Sequence, residues 1–330
     1  MDGETKKQRE RNIFNLIYGN ALFTDVMDKE CPDFLVRLSE NSPCFGVEVT
    51  EFYHSETSAR LDRISDYSLQ LLDGGNVKHK DDRNALHVVD IVKEDNSIHA
   101  KDVPAIIQRV PPLSECSRLV AQRILSKTQL IKNTTAEISH ANLIIHDKTG
   151  LLRVIKIADF YRIYFSPELI SALSITSFRE VFLITDIEDQ QVYARLKMLL
   201  LLASAYLFND VIVSNGIAER MGADVDEVEL FASYFASTVE GQVLVHHDKD
   251  GSEVIFGDSG LLIAQDGSIT VRLHSDRPIY PSATPPVLPW KSLLGTDFHE
   301  IMTEYRKSSK FSSEAVFSVI PRLSRNLSRR

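Results

Sequence analysis

The chain has 330 residues, 43% of them hydrophobic and 25% charged, with a formal net charge of -9. That is the composition of an ordinary globular protein, with room for two domains at ~100–200 residues each. The acidic balance argues against a surface coated in nucleic acid, but a local basic groove is compatible with it.

Three cysteines, Cys31, Cys44 and Cys116, have no paired spacing, so neither a disulfide framework nor a zinc knuckle is expected. A reducing cytoplasm fits that usage. The charged N-terminus, MDGETKKQRERN, lacks the apolar stretch of a secretory signal. The most apolar run, Met198 to Phe208, has eleven residues. A bilayer span needs ~20, so a buried core helix is expected there and no membrane partner.

In chain order, residues 5–18 pattern as a helix with Ile13, Leu16 and Ile17 on one face. Residues 34–38 and 45–53 are β-branched and aromatic and flank the turn-rich SENSP, which predicts a hairpin. Residues 56–72 pattern as one helix. A second hairpin is expected from LHVVDIV, the turn KEDN and SIHAKDV. Pro111-Pro112 ends that segment, and Ser114 is the expected N-cap of a helix running to Asn133. HANLIIHDKTGLLRVI predicts strand, turn and strand. A helix at 167–175, a strand at 179–185 and a helix at 191–208 follow. The fold class expected is α/β (α+β).

Residues 212–257 read as helix, turn, helix and β-ribbon, the order of a winged helix-turn-helix. The second of those helices opens with Asp224, Asp226 and Glu227, which phosphates would repel. A protein partner is favoured there over DNA. GLLIAQDGSITVRL predicts another hairpin, SATPPVLPW (282–290) a linker, and Tyr305 to Arg330 a basic tail. Two regions result: a core at 1–211 and a module at 212–330. The sequence leaves open whether the chain forms a homo-oligomer.

Side chains alternate along a strand, so Glu48 and Thr50 face away from Val47 and Val49, which need a core. Glutamate is depleted in strands, yet Glu48 and Glu51 both lie in this one. Asp33, Glu48 and a backbone carbonyl would be hard oxygen ligands for Mg²⁺; the alternative is a solvent-facing strand. On a helical wheel centred on Lys127, Val120, Ile131 and Ile124 fall roughly 20, 40 and 60 degrees to one side, and Leu130 and Leu119 roughly 60 and 80 degrees to the other. Lys127 therefore lies inside the apolar stripe, with Arg123 beside it. It either finds an acidic partner or snorkels to water. His54 follows the strand and is a weaker candidate acid; only one of His246 and His247 can face a given ligand.

A helix, a strand pair carrying Pro-Asp and then Glu-x-Lys or a variant, a helix and a further strand form the core of the PD-(D/E)XK nuclease superfamily. Residues 8–190 resemble it, with Pro32-Asp33 and Glu48-Val49-Thr50 as the signature, 114–132 as the following helix and 141–147 as the next strand. The resemblance implies a restriction-endonuclease-like mixed-sheet core with 56–113 inserted, carrying a C-terminal winged-helix-like domain. It implies that Asp33 and Glu48 bind Mg²⁺ or Mn²⁺ and that the Val49 carbonyl completes the site. Thr50 stands where the family usually places lysine. Some members carry that lysine on the following helix, which makes Lys127 its candidate and Lys132 the weaker one, with Thr50 or Glu51 in a secondary role. The implied function is a metal-dependent nuclease acting on DNA before RNA, by analogy the effector of an anti-phage defence system. The alternative is an inactive nuclease fold that binds a protein or nucleic-acid partner.

Overall fold

The structure is a computed structural model and describes residues 5–19, 23–64, 66–75, 77, 79–91, 103–108, 110–134, 138–214, 216, 227–238, 243–249, 251–256, 259–266, 269–273 and 300. Helix α1 (Lys6–Tyr18) opens with a Thr5 capping box closed by Gln8. Strands β1 (Asp25–Asp28), β2 (Phe34–Arg37) and β3 (Phe45–Phe52) follow. Helices α2 (Glu56–Arg63), α3 (Tyr67–Leu72) and α4 (Lys80–Ala85) lead to the ribbon β4 (Leu86–Ile91) and β5 (Val103–Gln108). Helix α5 (Leu113–Lys132) and strand β6 (Ala141–Asp147) return the chain to the main sheet. Next come α6 (Phe160–Tyr164), α7 (Pro167–Ile175), β7 (Glu180–Ile187), β8 (Gln190–Arg195) and α8 (Leu196–Ser214).

The main sheet has six strands in the order β1-β2-β3-β6-β7-β8. Strands β3, β6 and β7 are parallel, while β1, β2 and β8 run antiparallel to their neighbours, so the sheet is mixed. Its two faces bury different helices. Ile13, Phe14 and Ile17 of α1 pack on Phe34, Val36, Val47, Val49, Ile144, Phe182 and Ile184. The opposite face buries Leu143, Ile145, Val181 and Leu183 with Val120, Ile124 and Ile131 of α5 and the residues of α6 to α8. Both faces of the central strands are covered, which is why β6 and β7 read as nearly continuous apolar runs. No helix among the described residues is long and apolar enough to cross a membrane.

Beyond α8 lie α9 (Glu227–Thr238) and strands β9 (Val243–Asp248), β10 (Gly251–Phe256), β11 (Ser259–Ala264) and β12 (Ile269–Leu273). The expected ribbon and the expected hairpin are both present, joined into one antiparallel sheet ordered β12-β11-β10-β9. Val243, Val245, Val254 and Leu261 share the large apolar core with Phe208, Val211, Leu230 and Phe231. Most of the first helix expected in this region, its Gly222-Ala-Asp224 turn and the start of the second helix lie within 217–226, outside the described residues. The 282–290 linker and the basic tail lie outside them as well.

Several expected elements differ. The helix at 56–72 is two helices, because Ile64 is extended and Asp66 adopts a left-handed φ of 59°. The partner of β4 is Val103–Gln108, whose VPAIIQ is more apolar than the expected SIHAKDV; residues 97–102 lie outside the described residues. Pro112, not Ser114, caps α5. LLRV at 151–154 forms a 3₁₀ turn instead of a strand. Residues 190–195 are a strand rather than the start of a helix. A two-residue turn at Glu188-Asp189, both at positive φ, folds β8 back on β7. Helix α8 then starts at Leu196, where the buried Glu180 carboxylate accepts the N–H groups of Lys197 (2.9 Å) and Met198 (3.3 Å).

Candidate active site

Strand β2 is four residues long and meets β3 in the register Phe34↔Val47, so Asp33, one residue earlier, falls opposite Glu48. Both carboxylates are buried, each with 4% of its surface exposed. Gly46 donates its N–H to His140 at the start of β6, and alternation then turns the backbone groups of Val49 toward β2. The ladder to β2 ends before Val49, and the Asp33 carboxylate takes its place by accepting the Val49 N–H at 2.8 Å. The Val49 carbonyl faces the same side, and Pro32 has no N–H to offer it. Gly46 is required at its position: a Cβ there would lie 2.7 Å from Cγ of Pro32.

Helix α5 delivers the third group. Lys127 donates to Glu48 Oε1 at 2.6 Å, and its side chain is 18% exposed. Val120, Ile124 and Ile131 are buried on one side of Lys127 as the wheel expects, but Leu130 on the other side is 49% exposed, so Lys127 lies at the edge of the buried stripe and not inside it. Thr134, just beyond α5, donates its hydroxyl to the Cys31 carbonyl at 3.0 Å and ties the helix end to the Pro-Asp segment. Oε2 of Glu48 is buried and has no hydrogen-bond partner.

Burial first, then Glu48 and Glu10, push the Asp33 carboxyl up to about 7 against the opposing Val49 N–H and Lys7. The Cys31 thiol feels the same charges. Burial, Glu48 and Asp33 raise its pKa, and Lys127 lowers it.

Two residues of α1 belong to this site and carry no motif. Glu10 is 7% exposed and pairs with Lys6 and Lys7, each at 3.2 Å. Lys7 donates to the Lys29 carbonyl at 2.6 Å and to the Asp33 carbonyl at 3.1 Å, and it lies 3.9 Å from Asp33 Oδ1. The signal was present in the sequence. Glu10 stands at the i, i+3, i+7 spacing of Ile13 and Ile17, a charged residue inside an apolar stripe.

The other candidates are placed as follows. Thr50 shares the face of Glu48, and its hydroxyl makes a long 3.4 Å bond to the Glu51 carbonyl. Glu51 faces the opposite side, where Arg63 (3.1 Å) and Arg9 (3.7 Å) hold it. The ring of His54 pairs with Ser58 at 2.9 Å, and burial lowers its pKa. His247 pairs with Ser252, and Lys132 is exposed in the last turn of α5.

Among the described residues no group of three or more His, Cys, Asp or Glu is arranged to hold a metal ion. The oxygen atoms that a cation could meet here are those of Asp33, the unpartnered Oε2 of Glu48 and the Val49 carbonyl. This all-oxygen set suits Mg²⁺, which uses one or two carboxylates and takes its remaining ligands from water and substrate. Comparison of the chain with protein-family models, with curated proteins and with solved structures finds no match. The case for function rests on the geometry of this mixed α/β fold and its buried carboxylate pair.

Proposed function

We propose that the protein is a metal-dependent phosphodiester hydrolase, a nuclease of the PD-(D/E)XK type, acting on DNA before RNA. The observation that carries this reading is the 2.6 Å contact between Lys127 and Glu48, which brings a lysine to the carboxylate pair although Thr50 occupies its usual place. The order α1, β2, β3, α5, β6 fits a restriction-endonuclease-like core, and α9 with the β9–β10 ribbon fits a winged-helix-like module. That module would serve a protein partner.

Asp33, Glu48 and the Val49 carbonyl would hold Mg²⁺ or Mn²⁺. The ion would polarise the scissile phosphate and lower the pKa of an attacking water. Lys127 supplies a fixed positive charge where the pentavalent phosphate gathers negative charge. Being held by Glu48 already, it needs little reorganisation during the reaction. The short contact of Asp33 with the Val49 N–H fixes its carboxylate, so one oxygen stays directed by the backbone while the other is available. Burial of both acids keeps bulk water from competing for them.

The test uses the full chain with plasmid, linear DNA and RNA, in Mg²⁺, Mn²⁺ or EDTA. Cleavage is expected with metal only, and Glu48→Ala and Asp33→Ala are expected to abolish it while circular dichroism stays unchanged. Unaltered cleavage by Glu48→Ala would remove this site from consideration. Thr50 favours a second reading, a nuclease fold that binds without cutting; tight nucleic-acid binding with no cleavage in any metal would select it.

A further inference from the structure

The Lys7 ammonium donates its hydrogen bonds to oxygen atoms. Its three N–H groups meet the Lys29 carbonyl at 2.6 Å, the Asp33 carbonyl at 3.1 Å and Glu10 Oε2 at 3.2 Å, and Asp33 Oδ1 lies at 3.9 Å. Two carbonyls and two carboxylates are the ligands a hard cation takes. The carboxylates come from residues only 7% and 4% exposed, while the Lys7 side chain is 36% exposed and Lys29 lies at the surface, so the pocket has a buried acidic floor and a mouth open to solvent. Lys7 and Glu10 are one helical turn apart, which lets α1 deliver the acid and the cation together. The amine also lies 5.0 Å from the centre of the Phe34 ring, a cation–π contact.

We propose that the Lys7 ammonium is a tethered cation standing where a second divalent ion would otherwise bind, so that the site works with a single metal. The inference rests on the nuclease reading above and adds how many ions that site takes. Two lysines then flank the carboxylate pair, Lys127 on Glu48 and Lys7 on Asp33. The metal enters between them, at the oxygens neither lysine bonds. Lys7 would also brace the 29–33 segment, and a bracing role alone predicts no change in the number of bound ions when it is removed. The ion count therefore separates the two roles.

The experiment is Mn²⁺ titration of the full chain, followed by electron paramagnetic resonance and calorimetry. Wild type is expected to take up a single Mn²⁺. Lys7→Ala leaves room beside Glu10 and is expected to take up a second, weaker Mn²⁺; Lys7→Ala with Glu10→Gln is expected to return to a single ion. Two ions in the wild type would overturn the inference whether or not the variants fold, and so would a single ion in a folded Lys7→Ala. Failure of the underlying reading looks different: no Mn²⁺ bound by the wild type, or uptake that Glu48→Ala leaves unchanged.

Discussion

Lys127 and Glu48 are 79 positions apart in the chain, and their side chains meet at 2.6 Å across the interface of α5 with β3. The Glu48 side chain is 5% exposed, and its second oxygen has no hydrogen-bond partner. Removing the lysine would strand a buried carboxylate. Lys127→Ala is expected to cost about 3 kcal/mol of stability, with Glu48→Gln in the same chain restoring most of it. Cleavage should fall by roughly 10²–10³-fold while Mn²⁺ still binds. Thermal melts of the two single variants and the double variant check the first claim. Additive losses would show that the two residues are not coupled.

This pair also marks how far sequence reasoning reaches. The helical wheel turns Lys127 inward because Val120, Ile124 and Ile131 need the same face, and strand alternation turns Glu48 away from Val47 and Val49. Both deductions are local; the one for Glu48 holds, and the one for Lys127 holds on the Val120, Ile124 and Ile131 side while Leu130 is exposed. That the two faces are one face depends on β3 pairing with β6 and α5 crossing over them, which no local pattern encodes. The misplaced elements share a cause. Glu188-Asp189 makes a tight turn without the glycine that would announce it, so β8 was absorbed into the helix that follows. Asp66 breaks a helix from a left-handed conformation that aspartate adopts more readily than most residues, but no glycine stands there to announce it. A single acid in an amphipathic helix, as Glu10 is, looks like an ordinary surface residue until the fold brings Asp33 near it.

Asp33 gives the metal-free protein an unusual dependence on pH. Its folded pKa of about 7 lies above the ordinary 3.8, because burial and then Glu48 disfavour the charged form. Between those values the folded state holds more proton than the unfolded chain, so stability falls as pH rises through that window. The slope from this one group is at most about 1.4 kcal/mol per pH unit. Above the window the penalty is constant, and added Mg²⁺ is expected to stabilise the protein most there, where the carboxylate is ionised. Melting temperatures in EDTA at a series of pH values should show the slope in wild type and not in Asp33→Asn. The same slope in both proteins would refute the assignment.

Gly46 tests the geometry without touching a charged group. Its missing side chain lets Pro32 pack on β3, and an added Cβ would also come within 3.2 Å of Cδ1 of Ile138. The proline ring cannot swing aside as a flexible side chain would. Gly46→Ala is expected to cost about 1–3 kcal/mol and to displace Asp33 from the Val49 N–H. Weaker Mn²⁺ binding in a folded Gly46→Ala supports the placement of Pro32-Asp33, whereas unchanged affinity would show that the Pro-Asp segment tolerates the shift.

The pairing of β2 with β3 ends at Phe34↔Val47, and beyond it β3 keeps only β6 as a neighbour. In β6, with a strand on each side, the backbone's donors and acceptors are matched by neighbours. At Val49 a carboxylate stands in for half of the missing neighbour, and a proline withholds the other half. The vacancy in the ladder is thus held open by two adjacent residues. A polar group of the main chain stays directed at a fixed point in space, its orientation guaranteed by the rigidity of the sheet around it.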